Sequence, residues 1–431
     1  MKLTRNFLLL SILILVFSCS RKEDPINLNN SNLSIALKSD VGTSDSELIG
    51  MNTTVVFTVE GSDGVDYTNE SKIFINDEEI SGNTYFFETP GLYVAHAAYE
   101  NITSNELSFE VLVPDTYTLT VDFPKALRNQ PIRFGLINDQ GVDVSDDAVF
   151  FVNGNEITGN VFSSAVDAEY EVYATYTIQD EIYTTDIADF EIFIPKRKVV
   201  VEDYTGTWCG FCPAVAVAID ELRAVTEDVA VVAIHKSSSS IPDPLNFDRI
   251  SELQDMFDVD NGFPKAQINR TVPWPRPYNL TEVTSMAGKN TDVSIAVNSR
   301  LNGDNLSVTV DVIYENGSTQ GDKLVVYLLE NGVVSPQANY YDQTPGHPYE
   351  GKGNPIEDYV HNDGLRNSLS NLFGDAIPNL PAYEVHSKTY NFTVPSHYVG
   401  ENLSFVIMVV NSENNAKNAQ YAKINENKSY E

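Results

Sequence analysis

Val201-Glu202-Asp203-Tyr204-Thr205-Gly206-Thr207-Trp208-Cys209-Gly210-Phe211-Cys212-Pro213 is the stretch on which the reading of this chain turns. Just before it, Val199-Val200-Val201 is an unbroken apolar run of the kind that forms a strand covered on both faces. After it, residues 213–225 are rich in Ala and Val and read as a helix, with Pro213 suited to the first turn. The C-x-x-C therefore stands between a buried strand and a helix start, where two sulfurs at this spacing close a disulfide with little backbone adjustment. Unpaired N–H groups and the helix dipole favour an anion there. Thiols so placed have pKa values of about 3.5–7.5, against about 8.5 when free. This predicts Cys209 as an exposed attacking thiolate and Cys212, one turn inside, as a buried resolving thiol.

Working outward, residues 229–234 read as a second buried strand, 247–257 as a second helix, 265–270 as a third strand and 281–286 as a short helix. Strands alternating with helices predict an α/β domain over residues 196–288. The run resembles the thioredoxin superfamily, whose W-C-x-x-C it reproduces as Trp208, Cys209 and Cys212. The resemblance implies a thioredoxin-like fold and gives two further residues roles. Asp203, six residues before Cys209, would be the buried acid that exchanges a proton with Cys212. Pro264, in Gly262-Phe263-Pro264, would be the cis-proline facing the disulfide and exposing the Phe263 backbone to a bound peptide. Gly210-Phe211 matches neither the reducing nor the isomerase members, which leaves the potential anywhere between about −270 and −120 mV. Residues 271–277, with three prolines, read as an irregular linker that cannot form a strand, or else as the rim of a peptide groove.

Upstream, the chain repeats itself. Phe74-Ile75-Asn76 recurs as Phe151-Val152-Asn153, and Ile80-Ser81-Gly82-Asn83 as Ile157-Thr158-Gly159-Asn160, at one offset of 77. Period-two alternation and frequent turn residues predict two immunoglobulin-like β-sandwiches, over 31–113 and 114–195. Downstream, strand candidates at 293–297, 306–314, 324–330, 390–394 and 403–410 predict a C-terminal, jelly-roll-like β-sandwich over 289–431. A long irregular excursion, residues 335–388, interrupts it. The expected whole is a multidomain chain, β-rich apart from its thioredoxin-like part.

The first 18 residues have a basic start at Lys2 and Arg5 and an apolar run too short to span a bilayer, the layout of an export signal. Val16-Phe17-Ser18-Cys19 resembles a bacterial lipobox, which implies lipidation of Cys19 and a tether over 19–30. Two or more acyl chains, at about 0.8 kcal/mol per buried methylene, make such an anchor stable. Ser20-Arg21-Lys22-Glu23-Asp24 resembles the surface-export signal of Bacteroidota lipoproteins, favouring the cell surface over the periplasmic face of the outer membrane. The chain carries 27 basic against 61 acidic side chains, net −34, and loses two more cations with the leader. Such a surface repels nucleic acid. Two cysteines remain for zinc, which needs about four ligands, so no metal centre is expected. Asp258-Val259-Asp260-Asn261-Gly262 is only a fragment of a calcium loop, and no cofactor signature appears.

Leader, β-rich N-terminal part, VEDYTGTWCGFCP and C-terminal β-domain together resemble the outer-membrane-protein-twenty-eight family of Bacteroidota lipoproteins, over roughly 195–431. Val360-His361-Asn362 with Leu365-Arg366 is a second, weaker element of that likeness. The resemblance implies an outer-membrane location more firmly than any reaction. Two classes of function stay open. One is a thiol–disulfide oxidoreductase acting on protein clients. The other is a non-enzymatic surface binding protein or adhesin in which the C-x-x-C is a structural disulfide.

Overall fold

The computed structural model describes residues 33–42, 46–112, 117–178, 181–260 and 262–431. Cys19, the leader and the tether fall outside them. The chain divides into two compact units, Met1–Thr116 and Tyr117–Glu431.

The first unit is a β-sandwich. A three-stranded sheet, Ile35–Ser39, Thr53–Gly61 and Thr84–Phe87, faces a six-stranded one built on Gly91–Tyr99 and Leu107–Leu112. Alternate residues of each strand point inward, and Phe57, Phe87 and Phe109 meet at the centre, with ring centroids 5.4–5.8 Å apart.

The second unit opens with the same arrangement. Thr118–Val121, Ile132–Ile137 and Val161–Phe162 face a six-stranded sheet built on Ala168–Ile178 and Ala188–Phe193. The repeat read in sequence reappears as equivalent hydrogen bonds. Asn83 Nδ2 donates to Phe57 O as Asn160 Nδ2 does to Phe134 O, both at 2.9 Å. Asn76 and Asn153 both take the left-handed turn conformation, and each accepts a bond from the next strand, from Val94 N and Glu171 N. This sandwich is joined to the C-terminal sheets by the Arg128–Glu315 ion pair (Nε–Oε1 2.6 Å) and by Leu127 and Phe193 packed on Ile313.

The elements that carry the site are β1 (Val199–Thr205), α1 (Pro213–Arg223), β2 (Val229–His235), α2 (Ile250–Phe257), β3 (Lys265–Ile268), β4 (Val293–Asn302), β5 (Asn305–Tyr314), β6 (Lys323–Glu330), β7 (Gly364–Ser368), β8 (Val385–Thr393), β9 (Leu403–Val410) and β10 (Ala416–Lys423). One mixed sheet runs Val272–Pro273, β3, β1, β2, β7, β6, β9, β10. β1 and β2 are parallel, β3 is antiparallel to β1, and β2 joins β7 through the single pair Ala233–Gly364. Every residue of β1, β2 and β9 is buried, as the apolar runs at residues 199–201, 229–234 and 405–410 require, and Glu202 and Asp203 of β1 are buried with them.

Side-chain alternation sorts the two faces. Val199 and Val201 pack under Val215, Ala218 and Leu222 of α1. Val200 and Tyr204 face the other way, with Leu253 of α2, Tyr327 of β6 and Met408 of β9. Leu324, Val326 and Leu328 of β6, on the α1 face, pack with Phe405 and Ile407 on the four-stranded sheet containing β8, β5 and β4.

This arrangement corrects the expectation of a self-contained jelly-roll-like sandwich. Among the described residues, the C-terminal sandwich has no second sheet of its own. It borrows the far half of the sheet that begins at β3, so that sheet crosses the expected boundary at 288/289. The physical reason is that β6 and β9 are apolar on both faces and need a covering layer on each.

Candidate functional site

At the end of β1 the chain turns through Gly206-Thr207-Trp208 into Cys209-Gly210-Phe211-Cys212, and α1 begins at Pro213. Cys209 N donates to Gly206 O (3.0 Å), Cys212 N to Cys209 O (3.1 Å) and Val215 N to Cys212 O (2.9 Å), so the turn winds directly into the helix. Cys209 and Cys212 are joined by a disulfide, with Cα atoms 5.4 Å apart.

The expected partners gather around it. Trp208 Nε1 donates to Lys236 O (2.7 Å), and its ring stacks on Phe263 at 5.9 Å. Phe263–Pro264 is a cis peptide, and Pro264 lines a groove of about 390 Å³ with Phe211, Trp274, Tyr278 and Tyr341. Residues 271–277 correct an expectation. Val272–Pro273 does form a two-residue edge strand on β3, because an outer strand has no partner on its free side to miss the proline N–H. Trp274, 1% exposed, pins that loop into the core.

Exposure of Cys209 is the larger correction. Cys209 is 4% exposed and Cys212 3%. The excursion read as irregular folds back over the disulfide as a roof. Ala338 N donates to Thr207 O (2.8 Å), Tyr340 N to Gly210 O (2.9 Å) and Gln337 Nε2 to Cys209 O (3.0 Å). Phe211 meets the Tyr340 ring edge-to-face at 5.0 Å. A Cβ on Gly210 would lie 2.4 Å from Tyr340 Cδ1, so this approach requires glycine for space. The roof is held by its own polar groups. Buried Asn339 donates through Nδ2 to Tyr349 O and Gly353 O and accepts from Tyr341 N, while Gln337 and Ile356 exchange backbone bonds.

Behind the disulfide lies a cavity of about 410 Å³, lined by Asp203, Cys212, His235, Tyr349, Tyr359 and His361 among others. Asp203 faces α1, and its Oδ1 has no hydrogen-bond partner among the described residues. Burial pushes its carboxyl up to about 8. Burial, and then His235, push the His361 imidazole down to about 4. Burial, Tyr349, Asp203 and Asp220 together drive the Tyr359 hydroxyl well above its usual value.

His235 Nδ1 bonds to Asp243 Oδ2 at 2.9 Å. Burial would raise the Asp243 carboxyl, but His235 and the N–H groups of Thr207 and Leu245 outweigh it and hold the value down. Asp243 thereby fixes the start of the cysteine turn, with Thr207 N donating to it at 2.7 Å.

On the opposite face, Glu202 Oε1 accepts from Arg270 Nε (3.1 Å), and Arg270 Nη2 donates to the Tyr327 hydroxyl (2.8 Å). The Glu202-Asp203-Tyr204 run thus serves two layers, its acids pointing to opposite sides. Of the calcium-like fragment, Asp258 ends α2 in the left-handed conformation and Asp260 pairs with Lys265 (3.0 Å).

Trp208, Cys209, Cys212, Asp203 and Pro264 are brought to one turn and its surroundings. Sequence reasoning missed Gln337, Tyr340, Asn339 and the His235–Asp243 pair. The one signal near the cavity was the Val360-His361-Asn362 run.

The family model for "Outer membrane protein Omp28" matches residues 250–428. No curated protein matches the chain. Among solved structures, HBP35 of Porphyromonas gingivalis is similar at 19% identity and a TM-score of 0.41, over 54% of this chain and 76% of that one. The fibronectin(III)-like modules of Clostridium thermocellum CbhA give 16% and 0.23, over 36% and 93%. The adhesin InvE of Yersinia pseudotuberculosis gives 13% and 0.15, over 38% and 60%. From α2 to beyond β10, then, this chain is similar to the outer membrane protein family Omp28.

Proposed function

We propose that this chain is a lipid-anchored binding protein of the outer-membrane surface, in which the Cys209–Cys212 disulfide is a structural staple. Burial of Cys209 and Cys212 beneath the Gln337–Tyr341 roof carries this reading, because a protein thiolate needs an exposed sulfur to attack. The match to an outer membrane protein family supports the location. The two N-terminal sandwiches, taken as immunoglobulin-like spacers, would hold the binding part away from the membrane.

The disulfide is expected to resist reduction at potentials down to about −300 mV, as structural bridges do. With dithiothreitol as electron source, insulin reduction should match the buffer blank. Insulin turnover that disappears in Cys209→Ser would overturn the staple. Replacing Cys19 with Ala should move the protein from the membrane fraction to the soluble one, and continued sedimentation with membranes would sink the lipid anchor.

A second reading has one specific observation in its favour. The carboxyl of Asp203, without a partner for Oδ1 among the described residues and pushed up to about 8 by burial, lines the same cavity as Cys212. In a thioredoxin-like oxidoreductase, a client thiolate would attack Cys209 Sγ and break the disulfide. Asp203 would then protonate the departing Cys212 sulfur. That chemistry requires the roof to lift.

A further inference from the structure

We propose that the cavity behind the disulfide binds a small organic cation, a primary or quaternary amine, which takes the place of the proton otherwise held by the buried Asp203 carboxyl, that proton leaving to solvent, and rests against the Tyr349 and Tyr359 side chains. The inference rests on the binding-protein reading and names its ligand class. The space of about 410 Å³ lies within the roughly 300–1,000 Å³ of small-molecule sites.

Asp203 is 5% exposed, and its Oδ1 has no partner among the described residues. A buried acceptor left so costs about 1–3 kcal/mol, which a donor or cation in the cavity would offset. An apolar ligand would leave it unsatisfied, and an anion would meet like charge.

The remaining charges point the same way. Arg223, on the wall, is held by Asp363 (Nη2–Oδ1 2.8 Å). Asp220 and Asp358 then stand on the lining against the one ammonium of Lys352, and a bound cation that displaces the Asp203 proton adds a third carboxylate to them. The Tyr349 and Tyr359 hydroxyls bond each other at 3.2 Å, which ties the two phenols together on the cavity wall. A cation against a tyrosine face contributes about 0.5–2 kcal/mol. His361, with its imidazole pushed down to about 4, stays neutral and does not oppose a cation near neutral pH.

Calorimetric titration of the full chain with choline and with putrescine tests this, with acetate and sodium chloride at matched ionic strength as controls. Saturable binding of at least one cation with Kd below about 1 mM is expected, and none of acetate. Asp203→Asn should weaken it roughly tenfold or more while raising the melting temperature, which separates lost binding from lost fold. Tyr359→Leu should weaken binding and Tyr359→Phe retain it, since the ring is the contact. No saturable heat from either cation up to about 10 mM, equal heat from acetate, or unchanged affinity in Asp203→Asn overturns the proposal. A redox-active disulfide would leave these heats unaltered, and absent heats would leave the disulfide's resistance unaltered, so the two readings fall separately.

Discussion

Asp203→Asn is expected to stabilise the protein by roughly 3–5 kcal/mol at pH 7.5 and by almost nothing at pH 4. Asp203 lies in β1 with no ion pair among the described residues, and burial alone pushes its carboxyl up to about 8. An unfolded aspartate releases its proton near 3.9. Between those two values the native state holds a proton that the unfolded chain has lost. Stability therefore falls as pH rises through the window, by up to about 1.4 kcal/mol per unit. Below about 4 both states are protonated and the contribution vanishes. Asparagine has nearly the same shape and no charge to desolvate, so the variant lacks this slope. His361, pushed down to about 4, works in the opposite sense between that value and its unfolded pKa near 6.5. It is present in both proteins and cancels in their difference. Urea midpoints of the two chains at several pH values between 4 and 8 measure it. Parallel curves would show that Asp203 ionises freely and that the cavity wets it fully.

The same residue marks what could be read from sequence. Asp203 was singled out through the thioredoxin-superfamily resemblance, six residues before Cys209, whereas the strand that carries it was legible from the local apolar run Val199-Val200-Val201. The sandwich repeat was legible for a similar reason. Asn76 and Asn153 each set a left-handed turn within their own hairpin, so a matching letter means a matching bond. The long sheet was not legible. Its continuation rests on one pair, Ala233 with Gly364, residues far apart in sequence that carry no mutual signal. Nor was the roof. Residues 335–363 are polar, rich in Gly, Pro and Asn, and read as loop by composition. Their order comes from side chains such as Asn339 bonding backbone within the loop itself. The expected exposure of Cys209 failed for that reason alone. The strand, turn and helix are where the sequence places them, and a distant segment covers the sulfur.

If the roof is what shields the disulfide, Gly210→Ala should speed its reduction by dithiothreitol about 10- to 100-fold. Gly210 has no positive φ, so alanine meets no backbone penalty there. What it meets is Tyr340, whose Cγ, Cδ1 and Cε1 would lie 2.4–2.6 Å from the new methyl. Cγ is the root of the ring, and Tyr340 N is bonded to Gly210 O. The ring therefore cannot relieve the contact by turning about χ2, and must leave its χ1 rotamer and its edge-to-face contact with Phe211. Overpacking of this kind costs about 1–3 kcal/mol. The strain falls on the closed roof and is released when the roof lifts, so it lowers the opening free energy. Reduction that proceeds through rare opening then accelerates tenfold for each 1.4 kcal/mol. Tyr340→Gly should also accelerate it by removing the cover, but adding Gly210→Ala to that variant should have almost no further effect, since the clash partner is gone. Additive acceleration, or a rate in Gly210→Ala equal to wild type, would mean that thiols reach the sulfurs by another route. The cavity lined by Cys212 would then be the route to examine. A bulky thiol reagent should in that case react far more slowly than dithiothreitol, whatever residue stands at 210.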